Sequence, residues 1–195
     1  MSRKVSGLEE MAIQLLTDIH VSKQLKEVSM ILEQLSIDKN FKKQALIIAS
    51  DERLSNTLKK TQMLYLFKDI DNSLVYDFFS DMFSSQNYKL FNSRQFDYFD
   101  EFVKKFQMKT EELLIVNLIT AIELKQKDLI EIAIDLSDNL EQKVIIHPQT
   151  NASLMGGAQI RIGNMVFDFS LRSKFHQFQR QWLASMEKTS KLVGN

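Results

Sequence analysis

The chain of 195 residues contains no cysteine, one proline, five glycines and one tryptophan. Without thiols, disulfide frameworks, thiolate metal sites and cysteine nucleophiles are all excluded. A reducing compartment is compatible with that composition. The single proline, Pro148, leaves the first 147 residues free of the commonest helix breaker. No apolar run approaches the roughly 20 residues a membrane span requires. The longest, "ELLIVNLITAIEL", is broken by Asn117 and Thr120. Any work at a membrane is therefore expected to be peripheral, without direct insertion. The opening "MSRKVSGLEEMAIQLL" has no signal-peptide core and reads as a mature cytosolic start. Charge of one sign is missing too: 25 basic and 25 acidic residues cancel, and each half of the chain is neutral. Neither half carries a nucleic-acid footprint.

What is present is apolar periodicity: 44% of residues are hydrophobic and 26% charged, enough for a packed core. Up to about residue 106 that periodicity is helical. Leu8, Met11, Ala12, Leu15, Leu16 and Ile19 share one face; Leu25, Val28, Leu32 and Leu35 share another. Phe41, Ala45 and Ile48 mark a shorter third helix. Ser55, Ser73 and Ser93 stand where N-caps of a fourth, fifth and sixth are expected, the sixth aligning Phe96, Phe99, Val103 and Phe106. Eleven of the Phe and Tyr residues lie between Tyr76 and Phe106. They can line a binding groove or fill a small bundle, and filling the bundle is the expectation.

Beyond residue 112 the period changes. "LLIVNLITA" (113–121) reads as a strand covered on both faces. "QKDLIEIAIDLSDNL" carries Leu129, Ile132, Ala133, Leu136 and Leu140 on one helical face, and "KVIIH" returns to strand, making a strand-helix-strand unit. Gly163-Asn164 has the chemistry of a two-residue primed turn with positive φ at both positions. It pairs Ile162 with Met165, Arg161 with Val166, Ile160 with Phe167 and Gln159 with Asp168. The hairpin then has one wholly apolar face, Ile160, Ile162, Met165, Phe167 and Phe169, and sets Arg161 diagonal to Asp168 for a surface ion pair. Ser170 caps a last helix in which Leu171, Phe175, Phe178, Trp182 and Met186 share a face.

Sites of chemistry are not found. The glycines at 157 and 163 enclose five alternating residues, and Asn164 stands where a phosphate-binding loop needs lysine. Gly156-Gly157 reads instead as backbone freedom at the hairpin entrance. His20, His147 and His176 lie in separate elements without metal-ligand spacing. Asp168 and Ser170 lack a nucleophile elbow. The pairs Glu9-Glu10, Asp51-Glu52 and Glu111-Glu112 are sequence neighbours that point apart on a helix and read as solvated faces. No catalytic, cofactor or metal residue is assigned.

The order of these elements, with "KVIIHPQTNASLMGGAQIRIGNMVFDFSL", resembles the delta subunit of F-type ATP synthases, whose mitochondrial relative is the oligomycin-sensitivity-conferring protein. The family signature, Leu-(Ile)-Gly-Gly, a hydrophobic alternation, Gly-Asp, then Asp-Gly-Ser, is matched by Leu154, Gly156, Gly157, Gly163, Asp168 and Ser170, with Ile160, Ile162, Val166 and Leu171 at its apolar positions. Met155, Asn164 and Phe169 depart from it. The match is specific over residues 111–175; in the first hundred it rests on helix count and length.

The resemblance implies a mainly α chain with a smaller α/β part: an N-terminal six-helix bundle (1–108) that holds the alpha-subunit N-termini of the catalytic head, and a mixed α/β domain with a β-hairpin (109–195) that binds the b subunits of the peripheral stalk. It implies a non-catalytic stator subunit, without a cofactor, present once in a hetero-oligomer at the cytoplasmic face of the bacterial inner membrane. A helical adaptor or regulatory protein unrelated to the synthase would share the same periodicity and neutral charge, and an enzyme with an unrecognised site is a third reading. The partner discriminates among them.

Overall fold

The computed structural model describes residues 2–91 and 97–193, with the side chains of 2–6, 97 and 184–193 outside the description. The chain forms two compact units, Met1–Leu113 and Leu114–Asn195. Among the described residues it is mainly helical, with one four-stranded mixed sheet.

The first unit contains α1 (Ser2–Thr17), α2 (Ser22–Ile37), α3 (Lys39–Ser50), α4 (Asn56–Tyr65), α5 (Ser73–Ser84) and α6 (Asp97–Glu111), with a 3-10 turn at Lys89–Phe91. Local chemistry sets several ends. The Asp38 carboxylate accepts from the backbone N–H groups of Asn40 (2.8 Å) and Phe41 (3.0 Å) and so starts α3 directly after α2. Ser55 caps α4 through Leu58 N–H, as its sequence position suggests. For α5 the cap is Asn72, whose side chain accepts from Val75 N–H at 3.1 Å, while Ser73, expected in that role, is the first helical residue. An Asx oxygen one residue upstream reaches the same orphan donors. The expected cap Ser93 and the aligned Phe96 lie outside the described residues.

The core of this unit is aromatic. Phe67, Phe79, Phe83, Phe91, Phe99, Phe102 and Phe106 are almost fully buried. Phe67 and Phe79 pack at 4.5 Å between ring centres, Phe91 and Phe99 at 5.3 Å, and Phe41 meets Phe67 edge-on at 5.4 Å. In α3 the inward positions are Phe41, Ala45 and Ala49; Ile48 is only half-buried. Lys42 Nζ donates to both oxygens of Asp100 at 2.7 and 2.8 Å, and Ser36 Oγ donates to the same carboxylate at 2.7 Å, tying α2 and α3 to α6. Glu9, expected to be merely solvated, pairs with Lys109 at 2.9 Å and joins α1 to α6. The helix α6 continues past Met108 to Glu111, so the division between units falls at 113/114 rather than at 108/109.

The second unit is built on β1 (Leu114–Thr120), α7 (Gln126–Leu140), β2 (Val144–Thr150), β3 (Ala158–Ile162), β4 (Met165–Asp168) and α8 (Leu171–Val193), in the sheet order β2-β1-β3-β4. Strands β1 and β2 are parallel and joined through α7; β3 and β4 are antiparallel neighbours. Pro148 lies on the edge strand β2, the place in a sheet where a residue without an N–H is tolerated. Strand β1 is covered on one face, not two: Val116, Leu118 and Thr120 are buried, whereas Ile115 is exposed and Asn117 and Ile119 half-buried. One crossover helix shields one side, and Leu129 of α7 lines the same cleft as Leu118 and Thr120.

Candidate interaction surface

The hairpin register is the one the alternation specifies, with Ile162 opposite Met165 and Ile160 opposite Phe167. The turn differs in one respect. Positive φ occurs at Gly163 (55°) but not at Asn164, the pattern of a type II′ turn, which demands glycine only at its first central position.

At the other end of the hairpin, five of the six signature residues come together at the root of α8. Asn151 accepts from Ser153 N–H at 3.0 Å and starts a 3-10 turn over Ala152–Leu154 that buries Leu154. Met155, Gly156 and Gly157 then run through positive φ (62°, 150° and 71°) and turn the chain into β3. A Cβ at Gly157 would strike the carbonyl oxygen of Phe169, and one at Gly156 the Leu171 side chain. That close approach lets Leu171 N–H donate to Gly156 O and Phe169 N–H to Ala158 O, both at 2.9 Å. Asp168 Oδ1 accepts from Ser170 N–H at 2.9 Å. The Ser170 hydroxyl and N–H together hold the Asp168 carboxyl below its ordinary range. Ser170 is buried, and its oxygen accepts from Ser173 N–H at 3.2 Å, capping α8. The sixth residue, Gly163, sits at the hairpin tip, away from this cluster. The expected Arg161–Asp168 ion pair does not form among the described residues: Asp168 is taken by Ser170, and Arg172 in the first turn of α8 is its cationic neighbour.

These contacts fix where α8 leaves the sheet, and they leave an apolar surface uncovered. Val116 pairs with Ile162 and Leu118 with Ile160, so the apolar hairpin residues continue the sheet face that α7 covers over β1. Past β1 that cover stops. Ile160 and Ile162 are half-buried, while Met165, Phe167 and Phe169 are exposed. Along α8, Leu171, Phe175, Phe178 and Trp182 are exposed as well, between 53% and 63%. The side chain of Met186, expected on the same stripe, lies outside the described residues. The alternation marked these residues as apolar, but no sequence signal shows that the unit itself leaves them bare. Singly exposed apolar side chains are ordinary; here exposure recurs at Met165, Val166 and Phe167 of β4 and at every apolar position of α8 from Leu171 to Leu183.

A groove of about 470 Å³ beside α8 is lined by Asp168, Arg172, Ser173, His176 and Arg180, and no hydrogen bond joins the Ser173 hydroxyl to the His176 ring. Among the described residues no group of three His, Asp or Glu could hold a metal ion, and no helix is long and apolar enough to cross a membrane.

The family described as ATP synthase delta (OSCP) subunit matches residues 16–182, through both units. The chain is similar to the protein named ATP synthase subunit delta of Pelagibacter ubique, 28% identical over 98 residues that make up 48% of this chain and 52% of that one. It is similar to the protein of that name from Marinomonas sp., 32% identical over 38% of this chain and 42% of the relative. The chain thus spans about half the length of these relatives. Against the protein of that name from Clostridium botulinum (strain Kyoto / Type A2) the identity is 24% over 77% of this chain and 81% of the relative. A chain in the cryo-EM structure of the Toxoplasma gondii mitochondrial ATP synthase hexamer aligns over 94% of this chain and 98% of its own, at 11% identity and a TM-score of 0.35.

Proposed function

The chain belongs to the ATP synthase delta (OSCP) family, and on that premise we propose that it is a non-catalytic peripheral-stalk subunit of a proton-translocating F-type ATP synthase. The observation that carries this reading is the family match over residues 16–182, which runs through both units. In this reading the first unit is a six-helix bundle that holds the alpha-subunit N-termini on the catalytic head, and the second binds the b subunits of the stalk. The signature residues Leu154, Gly156, Gly157, Gly163, Asp168 and Ser170 are structural: they shape the hairpin and the root of α8. One copy serves each complex, peripherally, at the cytoplasmic face of a bacterial inner membrane.

The physical task is to resist torque. Rotation of the rotor would otherwise turn the catalytic head, and a joint built from two units with separate partners holds it still. Two kinds of feature suit that work: a rigid aromatic core in the first unit and an uncovered apolar surface in the second. The test is reconstitution of membranes stripped of their delta subunit. The full chain is expected to restore proton-coupled ATP synthesis. A fragment ending at Leu113 should bind the head without restoring coupling, while ATP hydrolysis by the detached head continues. If the full chain restores no coupling, or the fragment restores it fully, the stalk reading fails and an adaptor unrelated to the synthase takes its place.

A further inference from the structure

Helix α8 concentrates a charge that the rest of the chain balances. From Leu171 to Val193 it holds five Lys or Arg and a single acid, Glu187. Taking these from the chain's 25 of each sign leaves 20 basic against 24 acidic elsewhere. Between Leu171 and Leu183 no acid occurs at all, and Arg172, Lys174, His176 and Arg180 share the polar side with serine and glutamine. Arg172 and Lys174 fall in the first turn, where the helix dipole disfavours cations and an acid would serve the fold better. Helix stability does not explain them.

On a helix of about 3.6 residues per turn, Leu171, Phe175, Phe178 and Trp182 fall within roughly 60° of one another. Arg172 and Lys174 stand roughly 80° to either side of the middle of that stripe, at the border between the apolar and polar sides. A long cationic stem at such a border lies along apolar surface while its head reaches the phosphates of a lipid layer. Phe, Trp and Leu on one side, with cations and no acid on the other, are the composition of a helix that lies in the plane of a membrane interface. The root of α8 is anchored, with Leu171 N–H donating to Gly156 O at 2.9 Å and Arg172 Nη1 to Ser153 Oγ at 3.4 Å. Beyond the root, Phe175, Phe178, Trp182 and Leu183 are exposed, between 58% and 63%. The carboxylate in the groove beside Arg172, His176 and Arg180 is that of Asp168, which Ser170 already engages. No helix among the described residues is long and apolar enough to cross a membrane, so α8 would lie on a bilayer rather than span it.

We propose that α8 binds the surface of an anionic bilayer, with Leu171, Phe175, Phe178 and Trp182 in the interface and Arg172 and Lys174 on lipid phosphates. On the stalk reading, a stripe covered by another subunit is closed to lipid. The lipid contact therefore belongs to the chain before it joins a complex, and holds the free protein at a membrane face. It rests on α8 alone and requires no stalk partner.

The test uses the full-length chain with vesicles of phosphatidylcholine alone and vesicles of equal parts phosphatidylcholine and phosphatidylglycerol. Trp182 is the only tryptophan of the chain, so its emission reports entry of the stripe into lipid. The mixed vesicles are expected to shift that emission to the blue. They should bind the chain about tenfold or more tightly than the neutral ones, because each cation near an anionic surface is worth about fivefold, and salt should weaken the preference. Arg172→Gln/Lys174→Gln alters two exposed side chains and should lose about tenfold in affinity for the mixed vesicles. The charge-keeping exchange Arg172→Lys/Lys174→Arg should retain that affinity, which separates lost charge from lost fold. Equal binding to both kinds of vesicle, binding without a blue shift, or no loss in the glutamine variant overturns the proposal. So does a shift of equal size with soluble polyglutamate, which would make α8 a site for an acidic polypeptide. Reconstitution of stripped membranes decides the stalk reading separately. A chain that ignores vesicles yet restores coupling overturns this inference alone, and one that binds vesicles yet restores no coupling overturns the stalk reading alone.

Discussion

The two units use aromatic side chains in opposite ways. In the first, Phe79 and Phe99 are 0% exposed and sit among other rings. In the second, Phe178 is 63% exposed and Trp182 58%. Each full burial of such a side chain is worth about 1.5–3 kcal/mol, so the first unit has collected that stabilisation within its own fold and the second has not. The contrast separates two kinds of rigidity. One is intrinsic to the fold; on the stalk reading proposed above, the other is completed by association, with the same surface supplying both the fit and the affinity.

The largest expected effect comes from breaking the first half of the contrast. Phe79→Ala removes a ring that packs on Phe67, Phe78, Phe83, Phe91 and Phe99, and should destabilise the first unit by about 3–5 kcal/mol, as large-to-small changes in close-packed cores do. Chemical denaturation followed by circular dichroism measures it. A loss below about 1 kcal/mol would mean that the aromatic cluster is not what holds the first unit together. Next comes Gly157→Val in the second unit. Positive φ alone costs about 1–3 kcal/mol for such a residue, and the new Cβ would also strike the Phe169 carbonyl oxygen. The expected loss exceeds the strain figure and should displace α8, seen as altered hydrogen exchange at Phe169 and Leu171.

Much of this contrast is legible in the sequence. The change of period near residue 110 separates the units, and strict alternation around Gly163 specifies the β3–β4 register. Capping is legible at Ser170, which has no adjacent candidate, whereas Ser55-Asn56 and Asn72-Ser73 each offer two, and in both pairs the upstream residue is the cap. The Arg161–Asp168 pair is a reasonable diagonal contact, but Ser170 competes for Asp168 locally, with less side-chain entropy to lose. The strand β1 looks covered twice because apolar runs do not say how many helices are available to cover them. The bare surface stays hidden for a similar reason: a helical stripe looks the same whether it meets its own sheet or another protein.

Intermediate effects are expected at the root of α8, where the second unit has most of its own order. Ser170→Ala removes a buried cap and should cost about 0.5–2 kcal/mol, measured as a shift of the thermal midpoint. Ser170→Asn should recover part of it. Asp168 adds a pH dependence of determinate sign. Its folded pKa is depressed, first by the Ser170 hydroxyl and then by the Ser170 N–H. The contribution is therefore present above the unfolded value of about 4 and is lost as pH falls through the folded value. Asp168→Asn should lower stability slightly at neutral pH and flatten the acid side of the profile below about pH 4, so that variant and wild type converge in acid. An unaltered acid limb would show that the Asp168–Ser170 contact does not hold α8.

The smallest expected effect is the sharpest test of the contrast. Phe178→Ala makes the same chemical deletion as Phe79→Ala, a phenyl ring, from a side chain 63% exposed rather than fully buried. Little buried apolar area is lost and no cavity is left, while alanine is a better helix former than phenylalanine. In the isolated chain the change should therefore lie within about 0.5 kcal/mol of wild type, in either direction. If the stripe docks on a partner, the ring carries its weight only there, and the variant should keep its midpoint yet lose about tenfold or more in affinity for that partner, the behaviour of an interface anchor. Denaturation of the free chain and titration of the bound one, made on one preparation, give both numbers. A loss of several kcal/mol in the free chain would mean that α8 packs against its own protein in solution, and the difference between the two units would disappear.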